Sequence, residues 1–403
     1  MEVQLERRDI SVPDQWDRSG LPGWTYHSDA FLELEKRELF RSHWQIACHV
    51  SDIAEQGAYV AFDLCGERAL VVRGNDGEVR AFHNMCRHRG ARVVASDQGR
   101  CKNAFVCPFH GWVYNLDGTL RGPARPHSFP ELDKVKFGLS QIDCEIWEGF
   151  VFIRFEPGPQ PDVATLMSPF YDEVRHYRMA DMVPCRNHIW SHISAVNWKS
   201  VRDVDNEGYH VALAHPALQD LYGRSYRDEP FVDGVCRSYA ELNEKGRRWS
   251  VRHYLTATSP RTDLPPHLSR AWVYYGLFPN AVIATTPEYV QFYQEFPLST
   301  GETLLRGGIY RYPQETRRER TARRLAMRID RETLAEDVRL TEWSNEAMNS
   351  AAFEGFVLSD LEYGVRTHHD HLRALLPVAT LEDRPAEWDM ERLNAAMRAA
   401  ATR

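Results

Sequence analysis

The segment 83–112, "HNMCRHRGARVVASDQGRCKNAFVCPFHGW", holds two Cys-His pairs, Cys86-x-His88 and Cys107-x2-His110. Thiolates and imidazoles are ligands for zinc, copper and iron–sulfur clusters. Structural zinc usually pairs its cysteines as Cys-x2-Cys, with histidines elsewhere, whereas here each half supplies one cysteine and one histidine. That division suits a binuclear cluster in which one iron takes two thiolates and the other two imidazoles, a centre of much higher reduction potential than an all-cysteine one. Both halves sit on turns after β-like pieces, "EVRAFHNMCRHRG" and "NAFVCPFHGWVY". Gly90 and Gly111 close the two loops and allow close backbone approach with N–H bonds to sulfur. Trp112 is placed to cover the cluster from solvent. A zinc site on the same four ligands, or four unrelated residues, leaves the shared strand–loop layout unexplained.

The pattern resembles the ligand set of Rieske domains. The surrounding "AFHNMCRHRGARV" and "CPFHGWVYNLDGTL" are similar to the α subunits of Rieske non-haem iron oxygenases, the ring-hydroxylating oxygenase family. The resemblance implies a 2Fe-2S cluster that feeds electrons to a mononuclear Fe(II), so a second site is expected. The segment 197–218, "NWKSVRDVDNEGYHVALAHPAL", offers Glu207, His210 and His215. Glu207 and His210, three apart, share a face if this segment is helical. His215 is five from His210, but Pro216 disfavours helical geometry at the residue before it, so a distorted or ended helix lets both imidazoles converge. Two histidines and a carboxylate with open positions form the facial triad of non-haem Fe(II) oxygenases.

Carried over residue by residue, the resemblance makes His210 and His215 iron ligands. Glu207 becomes the acid that bridges an iron-ligating histidine of one subunit to a cluster histidine of its neighbour. Many members have Asp there, and Glu resembles the subgroup acting on quaternary amines (the betaine-type monooxygenases). Val204 stands where many members have Asn. The third ligand must be a carboxylate far downstream. In "LAEDVRLTEWSNEAMNSAAFEGFVLSDLEYGV", Leu334, Asp337, Leu340 or Thr341, Ser344 and Met348 fall on one helix face, and Asp337 interrupts an apolar or small stripe. A buried ionised carboxylate is costly unless paired or bound to metal. The offset from the similar family segment lands on Asp337, with Glu336 as the alternative. "HHDH", 368–371, has no partner at family spacing and reads as a polar helix end.

These residues need a scaffold. The segment 30–43, "AFLELEKRELFRSH", is rich in helix formers, and Phe31, Leu32, Leu39 and Phe40 share one face while Leu34 falls outside it. From Trp44 to about Phe155, short β-rich pieces with Asn/Asp-Gly turns point to a small β domain. After "EPGPQPD", 156–162, the chain mixes helices (about 196–215, 317–352 and 388–401) with consecutive strands (271–277, 281–296 and 303–311). Strands that follow one another without intervening helices favour an antiparallel sheet. The expected fold is α+β, a Rieske antiparallel β domain plus a catalytic domain with a large antiparallel sheet flanked by helices. The expected boundaries are 1–43 for an N-terminal helical segment packing on the catalytic domain, 44–156 for the Rieske domain and 157–403 for the mononuclear iron domain.

The net charge of −8 argues against a nucleic-acid surface. No run approaches eighteen apolar residues and the N-terminus has no apolar signal core, so neither a membrane span nor secretion is expected and cytoplasm is the expected address. Of the eight cysteines, the six outside the motif read as small, semi-buried thiols. The chain has no dinucleotide fingerprint. The resemblance accordingly implies O2 as co-substrate, NAD(P)H electrons through a separate reductase with or without a ferredoxin, and a head-to-tail homotrimer in which electrons cross between subunits. Its substrate is a small organic molecule, either monooxygenated (hydroxylation or oxidative N-demethylation) or, alternatively, cis-dihydroxylated. Pocket candidates are Tyr209, Trp272, Tyr274, Tyr289, Phe292 and Tyr293, whose aromatic faces suit a quaternary ammonium or a second ring.

Overall fold

The computed structural model describes residues 12–401, which form two compact units. One comprises Lys36–Trp190 with Gly308–Pro313. The other comprises the chain up to Glu35 with Ser191–Gly307 and the chain from Gln314 onward. The first eleven residues of the expected N-terminal segment lie outside the described residues.

The first unit is built on a seven-stranded sheet. Its strands run in the order Gln45–His49, Phe150–Arg154, Gln141–Trp147, Val79–His83, Glu67–Arg73, Ala58–Leu64 and Gln98–Arg100. A three-stranded sheet of Ala104–Val106, Val113–Asn115 and Leu120–Gly122 accompanies it. Within Glu67–Arg73 the run Ala69–Val72 is wholly apolar because both faces are covered there. Leu70 and Val72 join a core with Cys86, Cys107, Trp112 and Tyr114. Ala69 and Val71 point the other way, into a core with Ala47, Val151 and Ile153. Each fully buried Val or Leu contributes about 1.5–3 kcal/mol, so the loops that carry the cysteines rest on a rigid floor. The proline-rich stretch after Phe155 belongs to this unit: Trp44 donates its backbone N–H to Gln160 Oε1 (2.7 Å) and its indole N–H to the Pro161 carbonyl (2.8 Å).

The second unit contains most of another seven-stranded sheet. The order is Val183–Ser194, Glu302–Arg311, Tyr289–Ser299, Ala281–Thr285, Ala271–Leu277, Val235–Glu241 and Arg227–Val232. The last five strands pair antiparallel throughout. Helix Trp198–Asp205 precedes the segment that holds Glu207, His210 and His215, and helix Arg317–Ala347 carries Asp337. The "NWK" motif anchors the first of these. Asn197 caps it, accepting from Lys199 N and donating Nδ2 to the Tyr26 and Thr300 carbonyls. Trp198 Nε1 and Lys199 Nζ both donate to the buried Glu35, the latter at 2.6 Å. A buried pair of this kind adds little net stability, but removing either member strands the other charge.

Four local expectations are corrected. Residues 30–43 do not form one α-helix: Asp29–Glu35 is α-helical, Lys36–Arg41 widens to a π-helix, and Leu34 is buried after all. The four residues of the expected face, Phe31, Leu32, Leu39 and Phe40, are all buried with it. The helix expected over 196–215 ends at Asp205, resumes at Val211–Ala214 and breaks again at His215. Glu207 and His210 therefore share a turn, not a helix face. On the long helix, Leu334 and Leu340 are exposed, and the inward row is the i, i+4 series that includes Ile329, Asp337, Thr341 and Asn345. The "HHDH" run is the middle of helix Tyr363–Leu375, with His368 and His369 fully buried. His368 bonds the Pro279 carbonyl and His369 bonds Asp203, both ordinary structural contacts.

Candidate metal centres

The two cysteine loops are copies of one turn. Cys86 N–H donates to the Ala91 carbonyl (2.7 Å) and Gly90 N–H to the Cys86 carbonyl (2.9 Å). Cys107 N–H donates to the Trp112 carbonyl (2.8 Å) and Gly111 N–H to the Cys107 carbonyl (3.0 Å). Both glycines have left-handed backbone, φ 76° and 65°, a region that costs other residues roughly 1 kcal/mol or more. The histidines differ in offset but meet, with ring centroids 4.7 Å apart at 80°. His88 stacks on Trp112 at 5.1 Å and 7°.

The donor set fits a cluster. Both thiols are buried, and His88 Nδ1 is buried with no hydrogen-bond partner, an arrangement that is costly unless a metal takes the lone pair. Burial raises the Cys86 pKa. The Tyr114 hydroxyl and the His88 N–H pull it down, and the adjacent Cys107 thiol pushes it up again. Two thiolates crowded together are stable only around positive charge, which iron supplies. Tyr114 Oη accepts the Arg87 N–H (3.0 Å) and lies 3.2 Å from Cys86 Sγ, so its own proton points to sulfur. A hydrogen bond to a ligating sulfur raises the reduction potential of a cluster.

The second constellation is assembled from three separate pieces of chain. His210 precedes helix Val211–Ala214, His215 sits at the break before Pro216, and Asp337 lies on the long helix. His210 Nε2 and His215 Nε2 are 3.0 Å apart. Asp337 Oδ1 is 2.8 Å from His215 Nε2 and 3.7 Å from His210 Nε2. Ligands about 2.1 Å from one ion and about 90° apart lie about 3 Å from each other, so the three atoms match one facial site. Asp337 Oδ1, close as it is, makes no hydrogen bond, as a metal-directed oxygen should. Among the described residues these three alone form a group of this kind.

Carboxylates behind the imidazoles fix their tautomers. Glu207 Oε1 accepts from His210 Nδ1 (2.5 Å) and Glu336 Oε2 from His215 Nδ1 (3.0 Å), which leaves each Nε2 free for metal. Burial pushes the His210 pKa down, but the bond and charge of Glu207, with Asp337 and Asp205, leave it raised overall. Glu207 Oε2 also accepts the Tyr209 and His210 N–H groups. The turn needs Gly208, because a Cβ there would collide with the Tyr226 ring.

The pocket candidates separate. Register places Tyr274 opposite Ala284 and Ala284 opposite Gln291, with Gly276, Val282 and Tyr293 in the next row. Trp272, Tyr274, Tyr289 and Tyr293 therefore share one face. It is the face toward the helices, since Tyr293 Oη donates to Asp205 (2.8 Å) and Tyr274 Oη meets Tyr222 Oη at 3.1 Å. Phe292 points to the opposite face, under the Arg306 guanidinium. Strand alternation forbids Phe292 from joining Tyr293. Tyr209 is 57% exposed beside His210. Residues not anticipated are Asp228 and Gln291 on the helix-facing wall, Tyr226 just before its last strand, and Tyr222 and Asp330, which meet the wall from helices. Of these only Asp330 left a sequence signal, seven residues before Asp337 on one helix.

One chain thus carries a pair of loops with two cysteines and two histidines on a small β unit, and a site of two histidines and one carboxylate where helices cover a sheet. That is the constitution of an iron-dependent oxygenase that receives electrons from a partner. The chain belongs to the ring-hydroxylating oxygenase family: residues 174–377 match the ring hydroxylating alpha subunit (catalytic domain) and residues 43–135 the Rieske [2Fe-2S] domain. It is similar to the carnitine monooxygenase oxygenase subunit of Escherichia coli K12, 26% identical over 387 residues and covering 90% of this chain and 97% of that protein. It is also similar to the glycine betaine monooxygenase oxygenase subunit of Pseudomonas aeruginosa, 32% identical over 200 residues, 49% of this chain and 45% of that one. A solved quaternary ammonium Rieske monooxygenase shares the fold at TM-score 0.75, 22% identity, with 91% and 96% of the two chains covered. The protein is a Rieske-type oxygenase, an oxidoreductase using O2 and NAD(P)H-derived electrons from a separate reductase. No helix among the described residues is long and apolar enough to cross a membrane.

Proposed function

We propose that the chain monooxygenates a small organic ammonium compound, by hydroxylation that leads to oxidative N-demethylation. The convergence of His210, His215 and Asp337 on one point, with Glu207 behind His210, carries this reading. Cys86, His88, Cys107 and His110 would hold the 2Fe-2S cluster, and His210, His215 and Asp337 a mononuclear Fe(II). When bound, these groups supply one-electron transfer and O2 activation. The chain's own residues orient and shield. Trp112 covers His88, Glu207 and Glu336 aim the imidazoles, and the aromatic wall holds substrate on the open side of the triad.

Glu207 is also proposed as the bridge to His110 of a neighbouring subunit in a homotrimer. Its two oxygens already accept three local bonds, and a carboxylate has about four acceptor positions, so one remains for an imidazole N–H. The names of the relatives support the ammonium class, and eight cysteines that form no disulfide fit a reducing, cytoplasmic address. The test is turnover of trimethylammonium compounds by the iron-loaded chain with an NAD(P)H-dependent reductase, with or without a ferredoxin. One aldehyde per NAD(P)H and O2 consumed is expected. A cis-diol from an aromatic substrate, with no dealkylation, would replace this reading.

A further inference from the structure

Helix Trp198–Asp205 ends against its own dipole. A carboxylate in the last turn of a helix faces the partial negative charge of the unpaired carbonyls, yet Asp203 and Asp205 both sit there and Glu207 follows two residues on. Asp203 is answered by the Tyr26 hydroxyl and His369. Asp205 is answered from two sides. Arg202 Nη1 donates to Oδ2 at 2.8 Å, and Tyr293 Oη donates to Oδ1, also at 2.8 Å. Arg202 in turn gives Nη2 to both oxygens of the buried Glu295, at 2.5 Å each. Residues three apart on a helix are neighbours on its surface, and residues two apart on a strand share a face. The pair Arg202 and Asp205 is thus fastened to the pair Glu295 and Tyr293 at two points.

This fastening stands directly before the turn that carries His210. Inside the turn, Glu207 Oε2 accepts the Tyr209 and His210 N–H groups and Glu207 Oε1 accepts from His210 Nδ1. The turn is closed on itself, so its orientation is set by what holds its side and its entry. The Tyr226 ring holds the side, filling the space that a Cβ on Gly208 would need. Asp205 holds the entry, and its charge also acts on His210. His215 and Asp337 are placed separately, at the break before Pro216 and on the long helix. Where His210 meets them therefore depends on the helix end. The Tyr293 hydroxyl is spent on Asp205, so what Tyr293 offers to the open side of the triad is its ring.

Resting on the metal reading of the triad, we propose that Asp205 and Tyr293 are positioning residues, which fix His210 against His215 and Asp337 by fastening the helix end to the sheet. They act through the Glu207–His210 turn and not through a polar contact to substrate.

The test needs no substrate. In the chain with its cluster assembled, Fe(II) affinity is measured by chelator competition, and the nitric oxide adduct of the ferrous site by electron paramagnetic resonance. Cluster absorbance and the melting temperature of the iron-free chain report folding. Tyr293→Phe is expected to weaken Fe(II) binding about tenfold and to change the rhombicity of the nitric oxide signal. Asp205→Ala is expected to lose at least as much, and the double variant no more than Asp205→Ala alone, because both remove one bond. Tyr274→Phe, on the same face but bonded to Tyr222, is expected to leave affinity and signal unchanged. Wild-type affinity and signal in Tyr293→Phe, equal losses in Tyr274→Phe, or additive losses in the double variant would each overturn the inference. The comparison of Tyr293→Phe with Tyr274→Phe decides it even where Asp205→Ala does not fold. Wild-type chain that binds Fe(II) no better than His215→Ala would instead strike the metal reading itself, and the positioning role with it.

Discussion

The cluster loops and the mononuclear site solve the same problem, holding metal ligands still, by opposite means. The four cluster residues lie within 25 positions of sequence, on two copies of one glycine-closed turn over an apolar floor. The triad spans 128 positions, from His210 to Asp337, and depends on a buried polar scaffold of Glu35, Lys199, Arg202 and Glu295 around helix Trp198–Asp205. Local geometry makes the first site robust and readable. The second is as good as the packing of distant elements.

If the two centres are independent in this sense, each can be emptied alone. Cys107→Ser should abolish acid-labile sulfide and visible colour while the triad keeps its iron. His215→Ala should do the reverse, leaving the cluster's spectrum intact with turnover lost. Metal analysis of the two variants checks both, and either mutation emptying both sites would break the comparison.

Around the triad, the two neighbouring acids on the long helix should part company. Asp337→Asn should lose the mononuclear iron. Glu336→Gln, which only orients His215, should weaken iron binding by about 10–100-fold and recover activity at saturating iron, as an iron titration would reveal. Equal effects of the two would mean that Glu336 also ligates.

Glu207→Gln should leave both metals bound and slow coupled oxygenation. Unchanged coupled turnover would count against the bridge to His110. Tyr114→Phe removes the donor to Cys86 Sγ and should lower the cluster's midpoint potential with its ligation unchanged, which redox titration would measure.

The smallest effect concerns pH. Burial pushes the Glu288 carboxyl up to about 7 against bonds from Thr258 and Tyr254. Its folded pKa therefore exceeds the ordinary 4.5, so the folded state binds the extra proton and stability falls as pH rises between about 4.5 and 7. Glu288→Gln should remove this loss, on the order of 3 kcal/mol above pH 7, and raise the melting temperature at pH 8 more than at pH 5. An equal shift at both would remove the charge from the explanation.

The sequence was legible where chemistry and geometry are local. Cys86, His88, Cys107 and His110 with their two glycines announce a cluster, and Pro216 announces the break at His215. Asp337 needed a family offset as well as a helix face, and the face itself was misjudged because i+3 and i+4 rows diverge over a 31-residue helix. Aromatic content groups Phe292 with Tyr293, whereas period-two alternation puts them on opposite faces of the strand. Asp228 was invisible because only sheet register brings it to the wall, and register is not written in any single strand, while Tyr222, at the end of helix Pro216–Tyr222, meets Tyr274 only through packing of helix on sheet.

The most direct test of the central claim is metal and acid-labile sulfide analysis of the purified chain, with electron paramagnetic resonance of the dithionite-reduced protein. The account predicts about three irons and two sulfides per chain, with a red-brown colour and the low average g value of a cluster with mixed thiolate and imidazole ligands. Zinc in place of iron, without labile sulfide and without a signal, would contradict it.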